Sequence, residues 1–262
     1  MNIIIPMNYI TLIFTDKGVV MIQLKDVSKT YKDLVALDSF NYTINNGVYG
    51  ILGINGAGKS TLINCITNNI AYTGQINYVG LSVKDIGYVP QELAIYPELS
   101  VLDNMMFFAS LNKIDKATAK TRSIDLIDTV GLTDKINTKA QDLSGGMKRK
   151  LNLITGLVHN PKLLICDEVC VGIDIISRTE ILEYLQKLKN NGLNIIYTSH
   201  YLEEIEYLCE NLVFIDHGKL VLEGKTHDLL QRLSSDDKEL ELKDLFLKVI
   251  NENGDNDAHK RT

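Results

Sequence analysis

The stretch Val48-Tyr49-Gly50-Ile51-Leu52-Gly53-Ile54-Asn55-Gly56-Ala57-Gly58-Lys59-Ser60-Thr61-Leu62-Ile63-Asn64-Cys65-Ile66-Thr67 decides the fold. It opens as an apolar run of strand length, turns through glycines, and closes with helical spacing. The turn from Gly53 to Thr61 satisfies GxxxxGK[ST] in the strand-loop-helix context that the motif requires. Glycines let backbone N–H groups converge on phosphate oxygens, and the following helix adds the positive end of its dipole. Lys59 is expected to reach the β- and γ-phosphates of a nucleotide, and the Ser60 hydroxyl to bind Mg²⁺. At average glycine usage the bare pattern arises in roughly one chain in a hundred of this length, and the strand-helix context makes chance rarer still.

Downstream, Leu163-Leu164-Ile165-Cys166-Asp167-Glu168 is an apolar strand that ends in adjacent carboxylates. Side chains alternate faces along a strand, so the two acids are free to do different work. Asp167 is expected to hold Mg²⁺ through its water shell. Glu168 is expected to orient and deprotonate the water that attacks the γ-phosphate. Between the two motifs, Leu143-Ser144-Gly145-Gly146-Met147 leads into the helical run KRKLNLITGL and forms a second anion-binding helix start. One γ-phosphate does not need two such starts in one chain, so this one is assigned to a nucleotide held by a second subunit.

Further out, strand-length runs at Ile22 to Val27, Ile86 to Pro90, Ile195 to Ser199, Leu212 to Asp216 and Lys219 to Gly224 alternate with helical segments. The pattern predicts an α/β fold with a mixed, largely parallel sheet core and an antiparallel β portion contributed by the early strands. From about residue 99 to 160 strand signals give way to helical spacing, as in VLDNMMFFASL and RSIDLIDTVGL, which reads as an all-helical insertion. A domain over 21–233 follows, with a short helix and polar tail at 234–262. The polar run from Asn251 onward is expected to be disordered. Residues 1–20 read as an extension upstream of Met21 and carry no functional expectation. Their apolar run, broken by Pro6, Asn8 and Thr11, is shorter than the about 20 residues a membrane span needs.

Composition agrees with a folded core: 262 residues, 45% hydrophobic, formal net charge -6. An acidic balance lacks the footprint for wrapping nucleic acid, and no nucleic-acid partner is expected. The four cysteines form no CxxC pair and no zinc spacing, and are read as reduced thiols.

With these motifs in this order, the chain resembles the ATP-binding subunit of an ABC transporter over about Met21 to Gly224. The resemblance implies a P-loop ABC ATPase fold, ATP with Mg²⁺, and ATP contacts by Gly53, Ile54, Asn55, Gly56, Ala57, Gly58, Lys59, Ser60 and Thr61. It matches Tyr31 to the adenine-stacking aromatic and Gln91, in IGYVPQE, to a glutamine that meets Mg²⁺ and the attacking water. Ser144, Gly145 and Gly146 match the signature that closes on the opposite subunit's ATP. Asp174 in VGID matches the aspartate at the subunit junction, and His200 in IIYTSHYLEE the switch histidine on the γ-phosphate. Glu168, His200, Gln91 and Lys59 are thereby the catalytic set, and Ser60, Gln91 and Asp167 the metal set.

Four positions depart from the commonest family pattern. Ile54 replaces a proline in the loop, Met147 a glutamine after the signature, and Val169 and Cys170 a Pro-Thr or Pro-Ser pair. Losing that proline is expected to loosen residues 168 to 174. YPELSVLDNMMFFASL, VGIDIISRTEILEYLQKL and LELKDLFLKVIN are similar to the ATPases of bacterial drug, bacteriocin and lipid-linked exporters. That branch implies a dimer, with itself or a related ATPase, at the cytoplasmic face of the cell membrane. A separate integral-membrane subunit would meet residues near Gln91 to Leu102. Two alternatives stay open: a non-transport ABC ATPase, disfavoured by the single motif set, and a regulatory subunit, kept by residues 169 and 170.

Overall fold

A computed structural model describes residues 21–233 and 241–258; the expected N-terminal extension lies outside them. The elements run β1 (Met21–Tyr31), β2 (Leu34–Ile44), β3 (Val48–Leu52), α1 (Lys59–Ile66), β4 (Thr73–Val79) and β5 (Ile86–Val89). Next come α2 (Val101–Leu111), α3 (Lys116–Thr129), α4 (Gly145–Thr155), β6 (Leu163–Asp167), α5 (Ile175–Asn190) and β7 (Asn194–Thr198). The chain continues with α6 (Leu202–Leu208), β8 (Asn211–Asp216), β9 (Lys219–Lys225), α7 (Thr226–Leu233) and α8 (Leu242–Ala258).

Two sheets result. One has the order β5-β6-β7-β3-β8-β9, parallel except for β9, and the other is antiparallel with the order β2-β1-β4. Strands β3, β6 and β7 are buried along their whole length because both faces of the large sheet are covered. Ile51, Ile165, Ile196, Val213 and Ile215 face α1 and the antiparallel sheet. Leu52, Leu164, Cys166, Ile195 and Phe214 face the helices. Helix α1 therefore lies between the two sheets, with Leu62, Ile63 and Ile66 buried. Truncating Ile63 to alanine there costs about 2–5 kcal/mol.

Parallel register brings the carboxyl ends of the central strands together: Ile51 pairs with Thr198, and Asp167 pairs with Thr198 from the other side. The crevice beyond such strand ends is where open α/β sheets bind ligands.

Strand spacing alone misses β2 and β4. β2 interrupts its apolar positions with Asp38, Ser39 and Asn41, and its pairing with β1 slips at bulges. Asp26 and Ser39 take positive φ there, and their N–H groups bond to Asn41 Oδ1 and Ser28 Oγ at 3.0 and 2.8 Å. β4 is a sheet edge, half-covered at best, so nothing forces an apolar alternation on it. Between β5 and β6 the described residues hold α2, α3 and α4 and no strand.

Disorder was the expectation from Asn251, whereas α8 continues to Ala258. Its first turns are anchored: Leu242 and Leu245 are buried, and the Leu242 N–H donates to Glu206 Oε1 on α6 at 2.8 Å. Once nucleated by tertiary contact, a helix extends at little cost per residue.

Candidate functional site

The loop after β3 is shaped by close backbone approach. A Cβ at Gly53 would stand 2.3 Å from the Ile215 carbonyl, and Gly58, at φ +111, would set one 2.5 Å from the Ala36 carbonyl. No side chain caps α1, so its first N–H groups stay available to an anion. The turn is closed by Ala57 N–H to the Ile54 carbonyl at 3.1 Å and braced by Gly218 N–H to the Ala57 carbonyl at 2.9 Å. Ile54 contributes that carbonyl while its side chain is exposed. Lys59 is buried, and its Nζ donates to the Gly53 and Ile54 carbonyls at 2.8 and 3.1 Å. Burial lowers its pKa below the ordinary lysine value, against the opposing charges of Glu168 and Asp167. Ser60 and Asn55 are exposed, and Thr61 is half-buried.

The acids diverge because the strand ends between them, at Asp167. Asp167 Oδ1 accepts from the Thr198 hydroxyl at 2.7 Å, and no other described residue hydrogen-bonds to that carboxylate. Glu168, at φ 51, leaves the strand in the left-handed region. Its N–H donates to the Thr198 hydroxyl oxygen and carbonyl at 3.0 and 3.2 Å. Glu168 Oε1 then stands 2.6 Å from His200 Nε2. Thr198 thus touches both acids, and no motif flagged it. Its only sequence signal is a hydroxyl at the end of a strand, two positions before His200.

Gln91 and the turn after Glu168 are gathered by α4. Arg149 donates from Nη1 to the Gln91 carbonyl and from Nη2 to the Val171 carbonyl at 3.0 Å. Asn152, buried, accepts from Ala94 N–H at 3.0 Å and donates to the Pro90 carbonyl at 3.3 Å. Within the segment expected to be loose, Val169 and Cys170 are buried, Val171 N–H bonds back to the Glu168 carbonyl at 3.2 Å, and Gly172 and Asp174 are exposed.

Ser144 caps α4, its Oγ accepting from Met147 N–H at 3.3 Å. Met147, in place of a polar residue, packs against the helical side of the core. The two signature glycines differ. Gly145 has open space around it, whereas a Cβ at Gly146 would lie 1.9 Å from Ser177 Oγ on α5. Asp174 caps α5 by accepting from the Ser177 N–H and hydroxyl at 2.9 and 2.8 Å, and these bonds hold its carboxyl below the usual range. The signature and Asp174 are therefore neighbours. Among the described residues, no hydrogen bond or ion pair joins Ser144, Gly145 or Gly146 to the phosphate loop of the same chain. Tyr31 ends β1 half-exposed, with Lys29 Nζ 4.9 Å from its ring centroid.

The groups thus separate into a phosphate loop with a lysine, two acids with a histidine, and a glycine-rich helix start that makes no hydrogen bond to that loop among the described residues. Comparison with known proteins bears on the family and the fold. A family model described as ABC transporter matches residues 37–171. The linearmycin resistance ATP-binding protein of Bacillus subtilis is 38% identical over 226 residues, covering 82% of this chain and 73% of that protein. A Nod factor export ATP-binding protein of Rhizobium etli is 36% identical over 222 residues, covering 81% and 70%. Among solved structures, an ATP-binding subunit of an ABC transporter superposes with TM-score 0.77 at 23% identity, covering 88% of this chain and 99% of that one. A dimeric ATP-binding cassette bound to ADP and Pi gives TM-score 0.69 at 24% identity, covering 78% and 98%.

Proposed function

The chain belongs to the ABC transporter family as an ATP-binding protein, and from that premise we propose that it hydrolyses ATP at the carboxyl ends of β3, β6 and β7 to drive an exporter. One observation carries the assignment of hydrolysis. Glu168 Oε1 lies 2.6 Å from His200 Nε2 at the strand end that also presents Asp167, beside the charge of Lys59.

The loop N–H groups and the α1 start bind phosphate, and Lys59 exchanges its bonds to the Gly53 and Ile54 carbonyls for phosphate oxygens. Oxygen donors suit Mg²⁺: the Ser60 hydroxyl and the Gln91 side chain would hold it, and Asp167, with one carboxylate oxygen unbonded, would do so through its water shell. When bound, Mg²⁺ neutralises charge on the phosphates. Glu168 orients the attacking water and accepts its proton, and His200 stabilises the γ-phosphate side. Tyr31 stacks on adenine. Ser144 and Gly145, separated from their own phosphate loop, serve the ATP of a second copy or a related ATPase, with Asp174 at the junction.

Relatives named for linearmycin resistance and Nod factor export support export as the direction. No helix among the described residues is long and apolar enough to cross a membrane. The exporter reading sets the chain against an integral-membrane subunit, peripheral on the cytoplasmic face of the cell membrane. Leu93 and Tyr96, exposed after Gln91, with the Tyr96 ring 4.6 Å from Phe107, suit that contact. Steady-state ATPase of the purified protein beside Glu168→Gln tests the core of the reading: at least a tenfold loss is expected from removing a general base, about 10²–10⁴-fold in typical cases. Equal rates would sink it.

A further inference from the structure

The loop that carries His200 is held by a buried carboxylate outside the ATP site. Glu204, in the first turn of α6, is 1% exposed. Its Oε2 accepts from the Ser199 hydroxyl at 2.6 Å and the Tyr197 hydroxyl at 2.7 Å. Its Oε1 forms an ion pair with Arg178 Nε on α5 at 2.6 Å. Ser199 Oγ also accepts from the Tyr201 N–H at 3.0 Å, and the Arg178 guanidinium stands 4.1 Å from the Tyr201 ring centroid. Both residues flanking His200 are therefore fixed to one carboxylate and its arginine. The Tyr197 hydroxyl lies 3.5 Å from Cys170 Sγ as well, which brings the turn after Glu168 into the same network.

A buried carboxylate has to be paired, and here one oxygen takes two hydroxyl donors while the other, which accepts no hydrogen bond, has the Arg178 charge alone, so the carboxylate depends on these partners keeping their places. Arg178 is one helical turn beyond Asp174, the α5 cap beside Gly146. Displacing that end of α5 moves Arg178, and through Glu204 it moves the loop at 199–201.

We propose that Glu204 is the positioning residue for His200, and that its pairing with Arg178 ties the His200 loop to the helix capped by Asp174. The effect on turnover rests on the ATPase reading; the placement of His200 does not.

The experiment has two arms on the full chain. The first follows the imidazole Cε1–Hε1 signals of nucleotide-free protein by NMR, with His200→Ala to assign His200. In Glu204→Gln and in Arg178→Met the His200 signal is expected to move while those of the other four histidines stay. An unmoved His200 signal in correctly folded variants overturns the proposal. If Glu204→Gln fails to fold, Arg178→Met decides; if Arg178→Met fails to fold, Arg178→Lys, which keeps the charge but not the planar guanidinium that pairs through Nε, takes its place and is expected to move the His200 signal, and an unmoved signal overturns the proposal. The second arm measures turnover. Glu204→Gln is expected to lower kcat by roughly 10- to 100-fold through misplacement, with KM and binding of a fluorescent ATP analogue near the wild type. It is expected to cost nothing further in a His200→Ala background. A full additional loss in that background overturns the proposal. If the wild type hydrolyses no faster than Glu168→Gln, the ATPase reading fails, and the NMR arm alone decides the role of Glu204.

Discussion

Thr198 does at the scale of one residue what the two acids cannot do for themselves. Its hydroxyl donates to Asp167 and accepts from the Glu168 N–H, so one side chain sets the carboxylate of the first and the backbone of the second. Thr198→Val keeps the shape and removes both bonds, which should cost about 1–3 kcal/mol of stability in urea unfolding. It should also slow ATP hydrolysis by roughly 10–100-fold, as loss of an outer-shell partner commonly does. Thr198→Ser retains the hydroxyl and should recover most of the rate; a valine variant at full rate would remove Thr198 from the site. The acids, the lysine and the histidine were legible in the sequence because their chemistry demands those residue types. Thr198, Arg149 and Glu204 were not, because a hydroxyl, an arginine and a glutamate acquire such roles only from what the fold sets beside them.

Contact between α4 and α5 is where elements meet at the signature. The two glycines, identical in the motif, answer differently to a methyl group. Gly145→Ala meets open space and gains helix propensity, so its melting temperature should hold or rise by a few degrees, about 1 kcal/mol or less. If that face closes on a second copy's ATP, the same variant should lose ATPase activity despite its stability. Gly146→Ala drives a Cβ into Ser177 and should destabilise the fold by about 1–3 kcal/mol, an overpacking cost. Thermal unfolding of the two variants separates them, and equal melting temperatures would contradict the packing described. Among the strands, apolar runs announced β3, β6, β7 and β8, which are covered on both faces or nearly so. Runs at β2 and β4 were silent, since an edge strand or a bulged one needs no continuous apolar pattern.

For the whole molecule, the four cysteines are all buried and unpaired. Burial pushes the thiol of Cys65 up to about 11 and that of Cys170 up to about 12, from an ordinary value of 9.0. A group whose folded pKa is raised favours the folded state below its unfolded pKa and loses that advantage as pH rises toward the folded value. Stability should therefore fall between pH 8 and pH 10, by about 1 kcal/mol for each such thiol. Urea midpoints at the two pH values check this, and thiol reagents should label the native protein at pH 8 only on unfolding. Cys170→Ser should flatten the decline.

By itself the sequence determined that a strand, a glycine loop and a helix would bind phosphate, that an acid pair would follow a buried strand, and that the class is α/β. Those features are local: glycine, lysine and adjacent carboxylates at fixed spacing carry their conformational and chemical meaning with them. Only the tertiary structure decided that Thr198 joins the acids, that Gly146 serves packing while Gly145 stays open, and that Val169 and Cys170 are buried in the turn where the family pattern has a proline. Residues far apart in the chain make each of these contacts. Parallel register and two covered sheet faces bring them together, and no spacing along the chain encodes that approach.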